Sequence, residues 1–105
     1  MDDVKAEFTF NGLKIRLYEE DFQHALTNHP GEVTMAKIKS CIENPDKVIE
    51  SKTGNNGCLF YEKKMGNDYF VVVVHVSGPG VGEVKTAYEA TYIKSGKVLF
   101  DRESK

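Results

Sequence analysis

Residues 68–78, DYFVVVVHVSG, limit the fold more than any other stretch of this chain. The run Val71–Val74, preceded by Tyr69 and Phe70 and followed closely by Val76, is β-branched and aromatic and shows no polar alternation. Such a run fits a central strand covered on both faces. A central strand needs partners at both edges, so the flanking sequence must supply a sheet.

It does so by its period. From Lys47 onward KVIES, GCLFYEKK, EVKTAYEATYIK and KVLFDR surround the valine run, separated by KTGNNG, MGND, GPGVG and SGK. Apolar runs of period 2 between Gly-rich turns read as strands, here four with a fifth possible, joined as an antiparallel meander. Upstream, AEFTFNGLKIRLY alternates on either side of Asn11-Gly12, which predicts a β-hairpin over residues 6–18 through a type I′ turn.

Two helices separate the hairpin from the sheet. Acidic residues at Glu19, Glu20 and Asp21 suit a helix N-terminus, and Phe22, Ala25 and Leu26 follow at helical spacing, predicting a helix over 19–28. It must stop near His29, because the residue before Pro30 is disfavoured in the α region. Val33, Ile38, Cys41 and Ile42 form one stripe of a second helix over 32–43, which ends by the same rule at Asn44-Pro45. The expected fold is α+β: an N-terminal β-hairpin, two helices, then an antiparallel four- to five-stranded sheet with the helices on one face.

At 105 residues, 40% hydrophobic and 29% charged, the chain suits one globular domain spanning 1–105. No apolar run approaches the roughly 18 residues of a membrane span, and MDDVKAEF lacks the basic and apolar regions of a signal peptide, so a cytoplasmic protein with no membrane partner is expected. Cys41 and Cys58 show no CxxC spacing and no His neighbours, so neither zinc nor a disulfide framework is indicated, and no cofactor is expected. A net charge of -2 argues against holding long nucleic acid by bulk electrostatics, but leaves room for a small basic cleft.

The polar residues with chemistry to offer are few. His24 and His29, in DFQHALTNHPGE, are an H-x4-H pair; on an ideal helix they would diverge by about 140°, but the break at Pro30 frees His29 to turn back. Spacing alone favours a helix-end histidine and a turn histidine, with an acid/base pair as the functional alternative. The spacing also misses the i, i+4 geometry of two imidazoles sharing an ion, so no metal site is expected. In EVKTAYEA, Thr86 and Tyr88 share a strand face with Val84 and Ala90, leaving Lys85, Ala87 and Glu89 on the other, and their hydroxyls can donate to a phosphate. His75 ends the buried run on the face of Val71 and Val73, and Lys63 and Lys64 end the strand before MGND as further positive charge.

The order HALTNHP, IENPDKVIE, LFYEKK, DYFVVVVHV, VKTAYEA, GKVLF resembles the phage-associated branch of the barnase, EndoU, colicin and RelE-like (BECR-fold) nucleases, over residues 17–100. The resemblance implies a compact α+β domain and a metal-independent, toxin-like endoribonuclease with its site on the sheet and at a helix end. His24 and His29 match the paired histidines of the family's H-x4-H-P element, and Thr86 and Tyr88 match its TAY strand. It implies RNA as substrate; the reading built on it is cleavage by attack of the 2′-hydroxyl with His24 and His29 as the acid/base pair, Thr86 and Tyr88 donating to the phosphate, Lys64 and His75 as supporting substrate-binding residues, and an immunity or antitoxin protein as a possible partner. This chain departs from the pattern at Asn28, where a basic residue is common, at Gly31, with the acidic residue displaced to Glu32, and at His75, in place of a basic residue. Those departures remove positive charge and, with the acidic net charge, motivate the alternative to the leading nuclease reading, a non-catalytic RNA- or protein-binding module on the same fold.

Overall fold

The computed structural model describes residues 3–51, 57–91 and 96–102. The chain opens with the expected hairpin, β1 (Val4–Phe10) and β2 (Leu13–Tyr18). Asn11 and Gly12 stand at φ 48° and 81°, the two positive values that a type I′ turn requires. Phe8, Ile15 and Leu17 put their side chains into the core.

Helix α1 (Glu19–Asn28) runs over the expected residues and buries Phe22 and Ala25. Helix α2 (Met35–Glu43) begins three residues later than its apolar stripe suggests, because Thr34 is the N-cap and its side chain accepts the Lys37 N–H. Glu32 and Val33 therefore lie ahead of the helix, with Glu32 ending the turn that follows α1. Both helices stop one residue short of a proline, with His29 and Asn44 as C-caps.

All five later strands form: β3 (Lys47–Ser51), β4 (Cys58–Met65), β5 (Asp68–Gly78), β6 (Val81–Ala90) and β7 (Gly96–Asp101). The turn expected around residues 52–57 lies mostly outside the described residues, as do residues 92–95; Gly96 and Lys97 of the turn expected before β7 belong to that strand instead. The layout differs from a plain meander in two ways. The sheet has seven strands in the order β1-β2-β6-β5-β4-β3-β7, so the hairpin is part of it, joined through a parallel pairing of Lys14–Arg16 with Val81–Glu83. Because β2 occupies that edge of β6, β7 cannot follow β6 as its neighbour and pairs with β3 instead. Only β3 to β6 form a meander.

The valine run is the middle strand of the seven. Phe70, Val72 and Val74 join the core with Leu59, Tyr61, Val84 and Ala87 and with Ile38, Cys41 and Ile42 of α2. Each buried Val, Leu, Ile or Phe among them contributes roughly 1.5–3 kcal/mol of burial. Val71 is buried on the opposite face, while Val73 is partly exposed there. The sheet curls until its two edges meet: Phe10 of β1 packs edge-on against Phe100 of β7 at 5.1 Å and Tyr61 of β4 at 5.7 Å. The Cys41 thiol donates to the carbonyls of Tyr61 at 3.1 Å and Phe70 at 3.5 Å, and burial pushes its pKa up. No helix among the described residues is long and apolar enough to cross a membrane.

Candidate active site

Strand β2 leaves β6 after the Arg16–Glu83 pair, so the rest of that edge of β6 is open to the chain that follows α1. At the same place β6 carries a bulge. Val73 faces Thr86 and Val74 faces Val84, so Lys85 is an extra residue with no partner of its own in the β5 register. The bulge shifts the alternation, and Val84 turns to the core side with Ala87 rather than sharing the face of Thr86 and Tyr88 as strict alternation requires. Thr86 and Tyr88 remain together, opposite Val73 and Val71, on the face away from the core.

The segment His29-Pro30-Gly31-Glu32 closes onto this edge. The His29 N–H donates to the Ala25 carbonyl at 2.9 Å, and the Glu32 N–H to the His29 carbonyl at 3.1 Å. Proline followed by a glycine at φ 80° makes this a type II turn, whose third position requires the positive φ. The His29 ring then lies 5.7 Å from the Tyr88 ring with 35° between their planes. Glu32 returns beside its own turn: Oε1 accepts the Glu89 N–H at 3.0 Å and stands 3.8 Å from His29 Nδ1. Lys37 completes the group, its Nζ donating to the Glu32 carbonyl at 3.1 Å and pairing with Glu89 Oε2 at 3.4 Å.

The other expected site residues fall into two sets. By register, Lys64 (opposite Tyr69) and His75 (opposite Cys58 and Glu83) share the outward face with Thr86 and Tyr88. His75 is two residues from Val73, the partner of Thr86, so it neighbours Thr86 rather than Tyr88. Lys64 lies beyond the Tyr88 row, its side chain exposed and its N–H donating to Asp46 Oδ2 at 2.7 Å. His24 is exposed on α1, where it lines a shallow depression with Gln23, Thr27 and Asn28, all of that same helix. The ring contact with Tyr88 is made by His29, five residues on.

Three residues of this region carry no weight in a reading of the sequence. Lys37 and Glu89 meet across 52 positions, and nothing local marks either. Glu62 is 1% exposed and lies in the row of Tyr88, with Val71 between them, so a buried carboxylate shares the candidate face. Its position in LFYEKK, one residue past the core-facing Tyr61 of a middle strand, is the signal that would have singled it out. Glu32 was legible in principle, because a Pro-Gly pair at the centre of a turn brings residue i+3 back toward residue i.

A partly buried imidazole against a phenol, with a hydroxyl two residues before it on the same strand face, can move protons and donate to an anion. The family model described as phage-Barnase-EndoU-ColicinE5/D-RelE like nuclease3 matches residues 3–97. The chain belongs to this nuclease family. No curated protein and no solved structure matched the chain. Among the described residues no three His, Cys, Asp or Glu are grouped to hold a metal ion.

Proposed function

We propose that this nuclease-family domain is a metal-independent endoribonuclease. A base takes the proton of a ribose 2′-hydroxyl, that oxygen attacks the adjacent phosphorus, and an acid protonates the departing 5′-oxygen, giving a 2′,3′-cyclic phosphate and a free 5′-hydroxyl. His29 and His24 share the two proton transfers. Tyr88 and Thr86 donate to the non-bridging phosphate oxygens, where charge builds in the transition state, and His75 and Lys64 hold flanking phosphates. Single-stranded or looped RNA is the substrate, and DNA, lacking the nucleophile, is inert. The observation that supports this reading most is the contact of the His29 and Tyr88 rings, which sets a proton-transfer group against a phosphate donor.

The test is incubation with total RNA in EDTA, followed by mapping of the 3′ ends, with His24→Ala and His29→Ala alongside. Cyclic phosphate ends that disappear in both variants support the reading. RNA left intact at high protein excess, or cleavage indifferent to both histidines, overturns it.

A second reading is favoured by local charge. The Glu32 carboxylate stands beside His29, and the nearby Lys37 ammonium is already tied to the Glu32 carbonyl and to the Glu89 carboxylate. An acidic edge of that kind fits a non-catalytic module that binds a basic protein partner, such as an immunity protein. Uncut RNA together with a stable protein complex would favour it.

A further inference from the structure

The geometry points to Glu32 as the positioning residue of His29, leaving Nε2 as the ring atom that exchanges protons with RNA; this rests on the nuclease reading above. Two consecutive residues of β6 hold the two partners. Tyr88 packs against the His29 ring, and the next residue, Glu89, donates its N–H to Glu32 Oε1. Ring and carboxylate are therefore referred to one rigid strand, although both belong to a turn.

The turn itself is fixed at three further points. Its own hydrogen bond joins the Glu32 N–H to the His29 carbonyl, Lys37 Nζ holds the Glu32 carbonyl, and the same ammonium reaches Glu89 Oε2. The Glu32 backbone cannot move without breaking its bonds to the His29 carbonyl and to Lys37, and its carboxylate cannot swing away without giving up the Glu89 N–H. Its Oε1 faces Nδ1 at 3.8 Å, too long for a hydrogen bond in the neutral ring but within reach of an ion pair once the ring is charged. Nε2 lies on the other side of the imidazole, pointing away from the carboxylate.

That asymmetry has chemical content. When His29 accepts a proton at Nε2, the ring becomes an imidazolium and the carboxylate at Nδ1 gains attraction that it lacked in the resting state. Only an interaction that strengthens along the reaction accelerates it. Even without a hydrogen bond, the negative charge 3.8 Å from Nδ1 favours the tautomer with its proton there, so that Nε2 presents its lone pair. With side chains about one-third exposed at both His29 and Glu32, water weakens the effect relative to a buried pair.

The test uses the full chain and two variants. Glu32→Gln keeps an acceptor for the Glu89 N–H but removes the charge; Glu32→Ala removes both. Ring 15N shifts of His29 are measured in the neutral form, and kcat and KM with a short single-stranded RNA oligonucleotide. The expected result is an Nδ1–H tautomer in the parent that moves toward Nε2–H in both variants, with kcat falling about tenfold in Glu32→Gln and KM within about twofold. An Nε2–H tautomer in the parent, or a tautomer indifferent to both substitutions, overturns the assignment. The expected tautomers in a protein that leaves RNA intact support the positioning role and remove the nuclease reading instead. If Glu32→Ala loses its native amide spectrum, Glu32→Gln alone carries the decision.

Discussion

The His29 and Tyr88 rings meet at 5.7 Å although the two residues come from a helix end and a strand on the far side of the sequence. His29 is the C-cap of α1 and buries only part of its ring, so its removal costs little packing. His29→Ala should therefore lower RNA cleavage by about a hundredfold or more, the usual range for loss of a general acid or base, while the melting temperature changes by only a few degrees. Tyr88→Phe keeps the ring contact and removes the hydroxyl. It should lower kcat with KM little changed if the phenol acts in the transition state. Equal loss in Tyr88→Phe and Tyr88→Ala would fit that role, whereas loss in Tyr88→Ala alone would make the residue a packing surface for His29.

Gly31 sets the path of the turn that delivers both His29 and Glu32. At φ 80° an L side chain is strained, yet a Cβ there would meet nothing within 4 Å. The cost of Gly31→Ala is then conformational alone, about 1 kcal/mol, or a fall of about 4–8 °C in Tm for a domain near this size. Thermal denaturation followed by circular dichroism measures it. An unchanged Tm would mean that the turn is not held in this conformation in solution.

The two cysteines should differ sharply in reactivity. Cys41 is buried with its thiol donated to two carbonyls, and burial holds it in the protonated, unreactive form, whereas Cys58 is partly exposed. Under native conditions at pH 8, a maleimide should label Cys58 alone, and Cys41 only after denaturant is added. Peptide mass spectrometry reads the sites directly, and native labelling of Cys41 would contradict the packing of α2 on β4 and β5.

How much of this was open to a reader of the sequence depends on the range of the interaction. Asn11-Gly12, Pro30 and Pro45 act on their immediate neighbours, and the hairpin and both helix ends follow them. The valine run at Val71–Val74 declared a middle strand because burial leaves its mark on every residue of the run. The place of β7 was not legible, because it depends on β2 having taken the edge of β6, a pairing between segments far apart in the chain. Likewise the Lys85 bulge reverses Val84 through a register decided on β5, and Glu32 finds the Glu89 N–H across 57 positions. The Thr86–Tyr88 face was readable because both lie past the bulge, where alternation resumes.

Alkaline pH should destabilise this protein, in part through Tyr61. Burial in the core, with the neighbouring Cys41 adding to the effect, pushes its phenol from the ordinary 10 up to about 12. The folded state keeps the proton where the unfolded chain has lost it, so between pH 10 and 12 the unfolded state binds fewer protons and stability falls as pH rises. The contribution is fully present below pH 10, and a shift of this size is worth roughly 3 kcal/mol by the time the phenol ionises in the fold. Cys41, raised in the same direction, begins to act on the unfolded side from the ordinary thiol range near pH 9. Urea unfolding at pH 9, 10, 11 and 12 should give a falling stability whose slope above pH 10 is reduced in Tyr61→Phe, while the earlier fall from Cys41 remains. A parent and variant with the same slope from pH 10 to 12 would show that Tyr61 ionises in the folded protein as freely as in the open chain.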